Sequence, residues 1–83
     1  MELKDTIELM ESKDYKERFK AEYYQTKIRY DKLYNMVVKL EAGTLNFVPT
    51  CALSVFKDQL RAMKDYLYIL EMRATIEGIN LDA

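Results

Sequence analysis

FKAEYYQTKIRYDKLYNMVVKL, residues Phe19 to Leu40, decides the fold. Phe19, Tyr23, Thr26, Tyr30, Leu33, Val37 and Leu40 alternate by four and three residues, and only Thr26 interrupts the apolar character. That spacing puts all seven on one face of an α-helix. Upstream, Asp14 with Glu17 three residues on has the pattern of a capping box, and Ser12 competes as a cap, so the helix begins near Tyr15. Gly43 just after Leu40, Glu41 and Ala42 is placed to end it with a left-handed residue.

The pattern recurs downstream. Thr50 can cap a second helix whose Leu53, Phe56, Leu60, Met63, Leu67, Leu70 and Ala74 repeat the same alternation, and Gly78 stops it. A short connection between two long helices makes neighbours antiparallel, so the two stripes face each other as an αα-hairpin. Leu3, Ile7 and Met10 give the first residues helical spacing, but so short a segment holds only if it docks on something. The expectation is an all-α fold in a single domain, 1–83, with a lead-in segment at 1–12, helices at 14–42 and 51–77, a loop at 43–50 and a tail at 78–83.

Eighty-three residues leave room for one core at most. Two facing stripes alone cover too little apolar surface to order so many residues. More is available in Tyr24, Ile28, Tyr34 and Val38 beside the first stripe, and in Val55, Ala62, Tyr66, Ile69 and Ile76 beside the second. Faces this wide predict a homo-oligomeric bundle in which hairpins cover one another.

Charge narrows the partners. The chain carries 13 basic and 14 acidic residues, and within the first long helix lysines and arginines alternate with acids instead of forming a one-sided stripe. Binding to a nucleic-acid duplex is therefore not expected. No apolar run is long enough for a membrane span, the acidic first residues lack the form of a signal peptide, and the single cysteine, Cys51, suits a reducing compartment. The expected location is the cytoplasm.

The chain has no histidine, which removes the commonest general base and the commonest metal ligand. Ser12 and Ser54 have no recognisable base partner, and Gly43 and Gly78 belong to no phosphate-binding pattern. Glu17, Glu22, Asp31, Asp58 and Asp65 sit among oppositely charged helical neighbours, as on a solvated face. Cys51, at the expected start of the second helix, reads as a small half-buried residue or as a thiol activated by helix amides. No catalytic residue, metal ligand or cofactor is assigned, and the expectation is a protein that binds without turnover.

Seven tyrosines and no tryptophan stand out in the composition. Their rings can pack at the rim of an interface, or line a pocket and stack on a planar ligand. On the second reading Tyr23, Tyr30, Tyr34 and Tyr66 supply the rings, and Arg29, Lys39 and Arg73 meet an anionic group, a combination that suits a nucleotide. Arg73 beside an apolar stripe either snorkels or needs an anion, from Glu41 or Glu77 of a neighbour or from a phosphate. The apolar loop at Thr44, Leu45 and Phe47 is a candidate for contact with a partner protein.

Several runs carry a resemblance: Arg18-Phe19-Lys20-Ala21-Glu22-Tyr23, Arg29-Tyr30-Asp31-Lys32-Leu33, and Glu41-Ala42-Gly43-Thr44-Leu45 with Phe47, Pro49 and Cys51. Gln59, Met63, Tyr66-Leu67, Ile69-Leu70-Glu71, Arg73-Ala74 and Ile76-Glu77-Gly78-Ile79 extend it. Between Arg18 and Leu81 the chain thus resembles a family of small proteins from phages and prophages of Gram-positive bacteria, labelled after a crAss-like phage protein. The resemblance implies a phage origin and, by analogy with other small phage accessory proteins, a part in countering host defence. Two routes suit a helical oligomer: sequestering a nucleotide immune signal of the cyclic-nucleotide or ADP-ribose type, or blocking a host defence protein by direct contact.

Overall fold

A computed structural model describes residues 1–81. A 3-10 turn at Leu3–Thr6 leads into α1 (Ile7–Glu11), followed by α2 (Tyr15–Ala42) and α3 (Leu53–Glu77), with no strand among the described residues. The fold is all-α, an antiparallel hairpin of α2 and α3 with α1 as a short strap. At 1.5 Å per residue α2 alone spans about 42 Å, which accounts for the 43 × 24 × 19 Å extents of the chain.

Each end of α2 is closed by the chemistry of its residues. The Asp14 carboxylate accepts from the Lys16 amide at 3.0 Å, and the Ser12 hydroxyl accepts from the Asp14 amide at 3.0 Å, so the two competing caps act in series. At the other end Gly43 takes φ 75°, and the Thr44 amide closes back on the Lys39 carbonyl at 2.9 Å. The helix α3 starts later than a Thr50 cap predicts. Ala52 is the N-cap, without a side-chain bond, and its carbonyl accepts from Val55 and Phe56. The segment through Cys51 is spent carrying the chain from the end of α2 to the seam, where Leu53 is the first residue in register. Cys51 consequently lies outside the helix, exposed, rather than half-buried in its first turn.

Both stripes turn inward, and none of their fourteen members is exposed. Burial is uneven along the seam. The tightest packing joins the start of α2 to the end of α3, where Leu70 is 0% exposed among Phe19, Ala74 and Ile79, with Tyr23 and Leu81 against them. Toward the loop, Val37 is buried while Leu33, Leu40, Leu53, Phe56 and Leu60 are half-buried.

The segment after α3 is more than a tail. Gly78 adopts φ 70°, and the Ile79 amide donates to the Ala74 carbonyl at 2.8 Å, a left-handed stop that folds Ile79 back into the core. The Tyr24 hydroxyl then donates to the Leu81 carbonyl at 2.9 Å. The last two positions of the expected tail, 82–83, lie outside the described residues.

The strap packs on α2, and its backbone does not approach that of α3. Thr6, 1% exposed, satisfies its hydroxyl twice: it donates to the Leu3 carbonyl at 2.7 Å and accepts from the Gln25 amide at 2.9 Å. Gln25 also reaches the Met10 sulfur at 3.6 Å. The small side chain of Ala21, one turn before Gln25, is buried on the same side of α2. No helix among the described residues is long and apolar enough to cross a membrane.

Candidate functional site

The residues proposed from the sequence to bind a ligand are distributed over four places. At about 100° per residue, Glu22 and Arg29 project to one side of the α2 seam, and Lys27 and Tyr34 to the other. Arg29 shares an open groove of about 350 Å³ with Tyr66 of α3 and Met10 of α1, and Glu22 lies on the same wall.

On the opposite side, Tyr30 and Tyr34 stack with centroids 6.1 Å apart and planes at 29°. The Lys27 ammonium lies 5.7 Å from the Tyr30 ring, and Tyr30 lines a hollow with Lys64, Tyr68 and Glu71. Tyr23 turns its hydroxyl to the Glu71 carboxylate at 2.8 Å, and a hollow of about 410 Å³ opens there toward Thr75 and Asn80. Burial and then the adjoining Glu71 charge push the Tyr23 phenol up to about 12.

Arg73 is occupied within its own chain. Its guanidinium sits 4.9 Å over the Phe19 ring, donates to the Tyr15 hydroxyl at 2.7 Å and pairs with Glu77 at 3.4 Å. The anion that this arginine needs is therefore Glu77 of the same molecule, four residues on, supported by a ring face. Tyr15, absent from the residues singled out by pattern, completes that arrangement.

Lys39 stands apart from all of these. It lines a cavity of about 680 Å³ where the outer face of α2 meets the loop, and Thr44, Leu45 and Phe47 form the opposing wall. One cavity thus brings together a residue read as ligand-binding and three read as partner-contacting. Lys32, Asn35, Met36 and Asn46 complete it and were missed in the sequence. Lys32, Met36 and Lys39 do keep four-three spacing, but on the side away from the seam, where a lysine row looks like any solvated helix face.

The absence of a carboxylate sets the loop cavity apart from the hollows along the seam, although Arg18 joins Arg29 in its groove and Lys27 joins Lys64 beside Tyr30. Glu22 lines the Arg29 groove and Glu71 lines each of the hollows on the tyrosine side, including the one beside Tyr68 and Met72. The loop cavity has two lysines and no carboxylate on its wall. Among the described residues no cluster of Cys, Asp and Glu is gathered to hold a metal ion.

Helix α3 also carries a second apolar row outside the seam. Val55, Ala62, Tyr66, Ile69 and Ile76 follow one another by seven, four, three and seven residues and are all exposed, Ile76 at 77%.

Fold and surface together define an all-helical hairpin protein with open cavities between its helices and beneath its loop. The chain belongs to the Sequestin family, which matches residues 13–76. That span covers α2, the loop and nearly all of α3, and it leaves out the strap. The family name denotes sequestration, in keeping with a protein that captures a ligand. No curated protein and no solved structure matches the chain.

Proposed function

We propose that this protein is a phage accessory protein that counters host defence by holding a nucleotide immune signal, of the cyclic-nucleotide or ADP-ribose type, without converting it. Membership of the Sequestin family is the observation that carries the reading. Capture asks for less than catalysis does. It needs a cavity, charges opposite to the ligand and enough protein to bind the signal one for one, and a chain of this size satisfies those needs with few residues.

The acting form is a homo-oligomer of hairpins. The outer row of α3 from Val55 to Ile76 supports this, because a soluble monomer rarely leaves so continuous an apolar row open. Copies pairing through that row also border the Arg29 and Tyr66 groove, so assembly deepens the hollows of a single chain.

The test is calorimetry with a panel of cyclic dinucleotides and ADP-ribose derivatives, joined to recovery of the ligand after the protein is denatured. Saturable binding and intact recovered nucleotide are expected. Silence across the panel ends the reading, and recovery of cleaved nucleotide replaces capture with catalysis.

A second reading rests on a different observation. Val48 is 90% and Phe47 54% exposed at the loop tip, a combination that suits direct contact with a host defence protein. Cross-linking through position 48 in infected cells would trap such a partner, and would give only self-linked chains if the loop serves the ligand alone.

A further inference from the structure

We infer that two copies of this chain pair antiparallel through the second half of α3, across a two-fold axis that passes between Ile69 and Met72. The inference rests on the homo-oligomer reading and adds to it a surface, a direction and a register, whatever the protein captures. Three observations carry it.

The first is where charge stops. From Lys57 to Asp65 the helix carries five charged side chains. From Tyr66 to Ile76 it carries two, Glu71 and Arg73, and both are turned to α2: Glu71 accepts from the Tyr23 hydroxyl, and Arg73 covers the Phe19 ring. The outward side of this stretch is left to Tyr68, Ile69, Met72 and Ile76, all exposed. These four leave ~500 Å² open per chain, so two copies bring together ~1,000 Å², the lower bound for a specific interface.

The second is shape. A hollow of about 330 Å³ on the back of α3 is bordered by Tyr68, Glu71, Met72 and Thr75, with Ile76 at its edge. Four residues spaced i, i+3, i+4 and i+7 are those that make the hole for one side chain of a facing helix in a coiled coil. Beside it Asp65, Ile69, Met72 and Ile76 keep the four-three spacing of such a seam, the spacing that α3 also uses toward α2. The occupant that fits is another helix with an apolar row, and α3 of a second copy is one.

The third is direction. Parallel copies would set Asp65 against Asp65 and Asp58 against Asp58 along that row, like charges at close range. Antiparallel copies lay the uncharged stretch on itself, with Ile69 of one chain beside the partner's Met72 and Asp65 at the rim beside the partner's Ile76. Such a contact is self-complementary and closes at two copies. The start of each α3 at Leu53 then lies about 25 Å along the helix from the axis, so Val55 takes no part and the loop tip at Phe47 and Val48 stays clear of the partner.

Cross-linking of the full chain tests the register, with Cys51→Ser removing the exposed native thiol. Asp65→Cys and Ile76→Cys chains, mixed and oxidised, should link to each other. Neither should link to itself, since antiparallel pairing holds like positions about 16 Å apart. Sedimentation gives a second measure, one chain being 9.9 kDa: Met72→Glu, at an exposed position, should bring the mass to one chain and Val55→Glu should leave it at two. Circular dichroism confirms that each variant keeps its helices. Self-linking of either cysteine variant overturns the antiparallel direction. A dimer that Met72→Glu splits but that gives no mixed link, or that Val55→Glu splits as well, overturns the register. A wild-type assembly that survives Met72→Glu overturns the surface and leaves the homo-oligomer reading standing. A wild-type mass of one chain removes both, and leaves capture of a nucleotide to its own calorimetric test.

Discussion

Tyr23 on α2 donates its phenolic hydrogen to Glu71 on α3 at 2.8 Å, a bond between residues 48 apart in sequence that ties the two helices at the edge of the core. Only the protonated phenol can make it. The folded chain holds that proton to about pH 12, against 10.0 for an ordinary tyrosine, because burial and then the Glu71 carboxylate oppose a phenolate. Its folded value lies above its unfolded one, so this contribution to stability is complete below pH 10 and is lost as the pH rises toward 12. Alkaline denaturation should therefore begin in that window. Tyr23→Phe should flatten the slope there, and a slope identical to wild type would show that the bond contributes nothing.

Leu70 is the best-buried apolar side chain of the seam, and Leu70→Ala should cost about 2 to 5 kcal/mol. Gly78→Ala tests the stop behind it. No atom stands within 4 Å of the added methyl group, so its cost comes from the left-handed backbone alone, about 1 to 2 kcal/mol. Urea unfolding measures both. A Gly78→Ala loss as large as that of Leu70→Ala would mean that Ile79 leaves the core as well.

Thr6→Val removes the acceptor for the Gln25 amide and keeps the side-chain shape. The strap should loosen at a cost of about 1 kcal/mol while the hairpin persists, since the backbone of α1 approaches α2 and not α3. Hydrogen exchange should accelerate over residues 3–11 and stay unchanged at Leu70. Acceleration across both would show that strap and hairpin unfold as one unit.

Ile69→Glu places a charge in the middle of the outer row of α3. Sedimentation should give the wild-type chain a mass above 9.9 kDa and the variant a mass near that of one chain. Val48→Glu, on the loop, should leave the assembly intact. A wild-type mass of one chain would mean that the row stays in solvent.

The helical hairpin was legible because apolar residues at four-three spacing have only one way to share a face. The alternation from Phe19 to Leu40 and from Leu53 to Ala74 named all fourteen members of the seam. Glycine also marked both helix ends, since the left-handed residue closing a helix excludes most side chains. The cap of α3 was less legible. Thr50 has the right chemistry for it, but the distance from the end of α2 to the seam moved the start to Leu53.

By itself the sequence determined two long helices, their facing stripes and their ends, all of which depend on residues within a few turns of one another. Tertiary structure decided what depends on distance in space. It folded Ile79 back onto Phe19, set Arg73 over the Phe19 ring and against the Tyr15 hydroxyl, and divided the tyrosines between the two sides of the seam. It also set Lys39 opposite Phe47, because a row of lysines becomes a wall only where a loop turns back to face it.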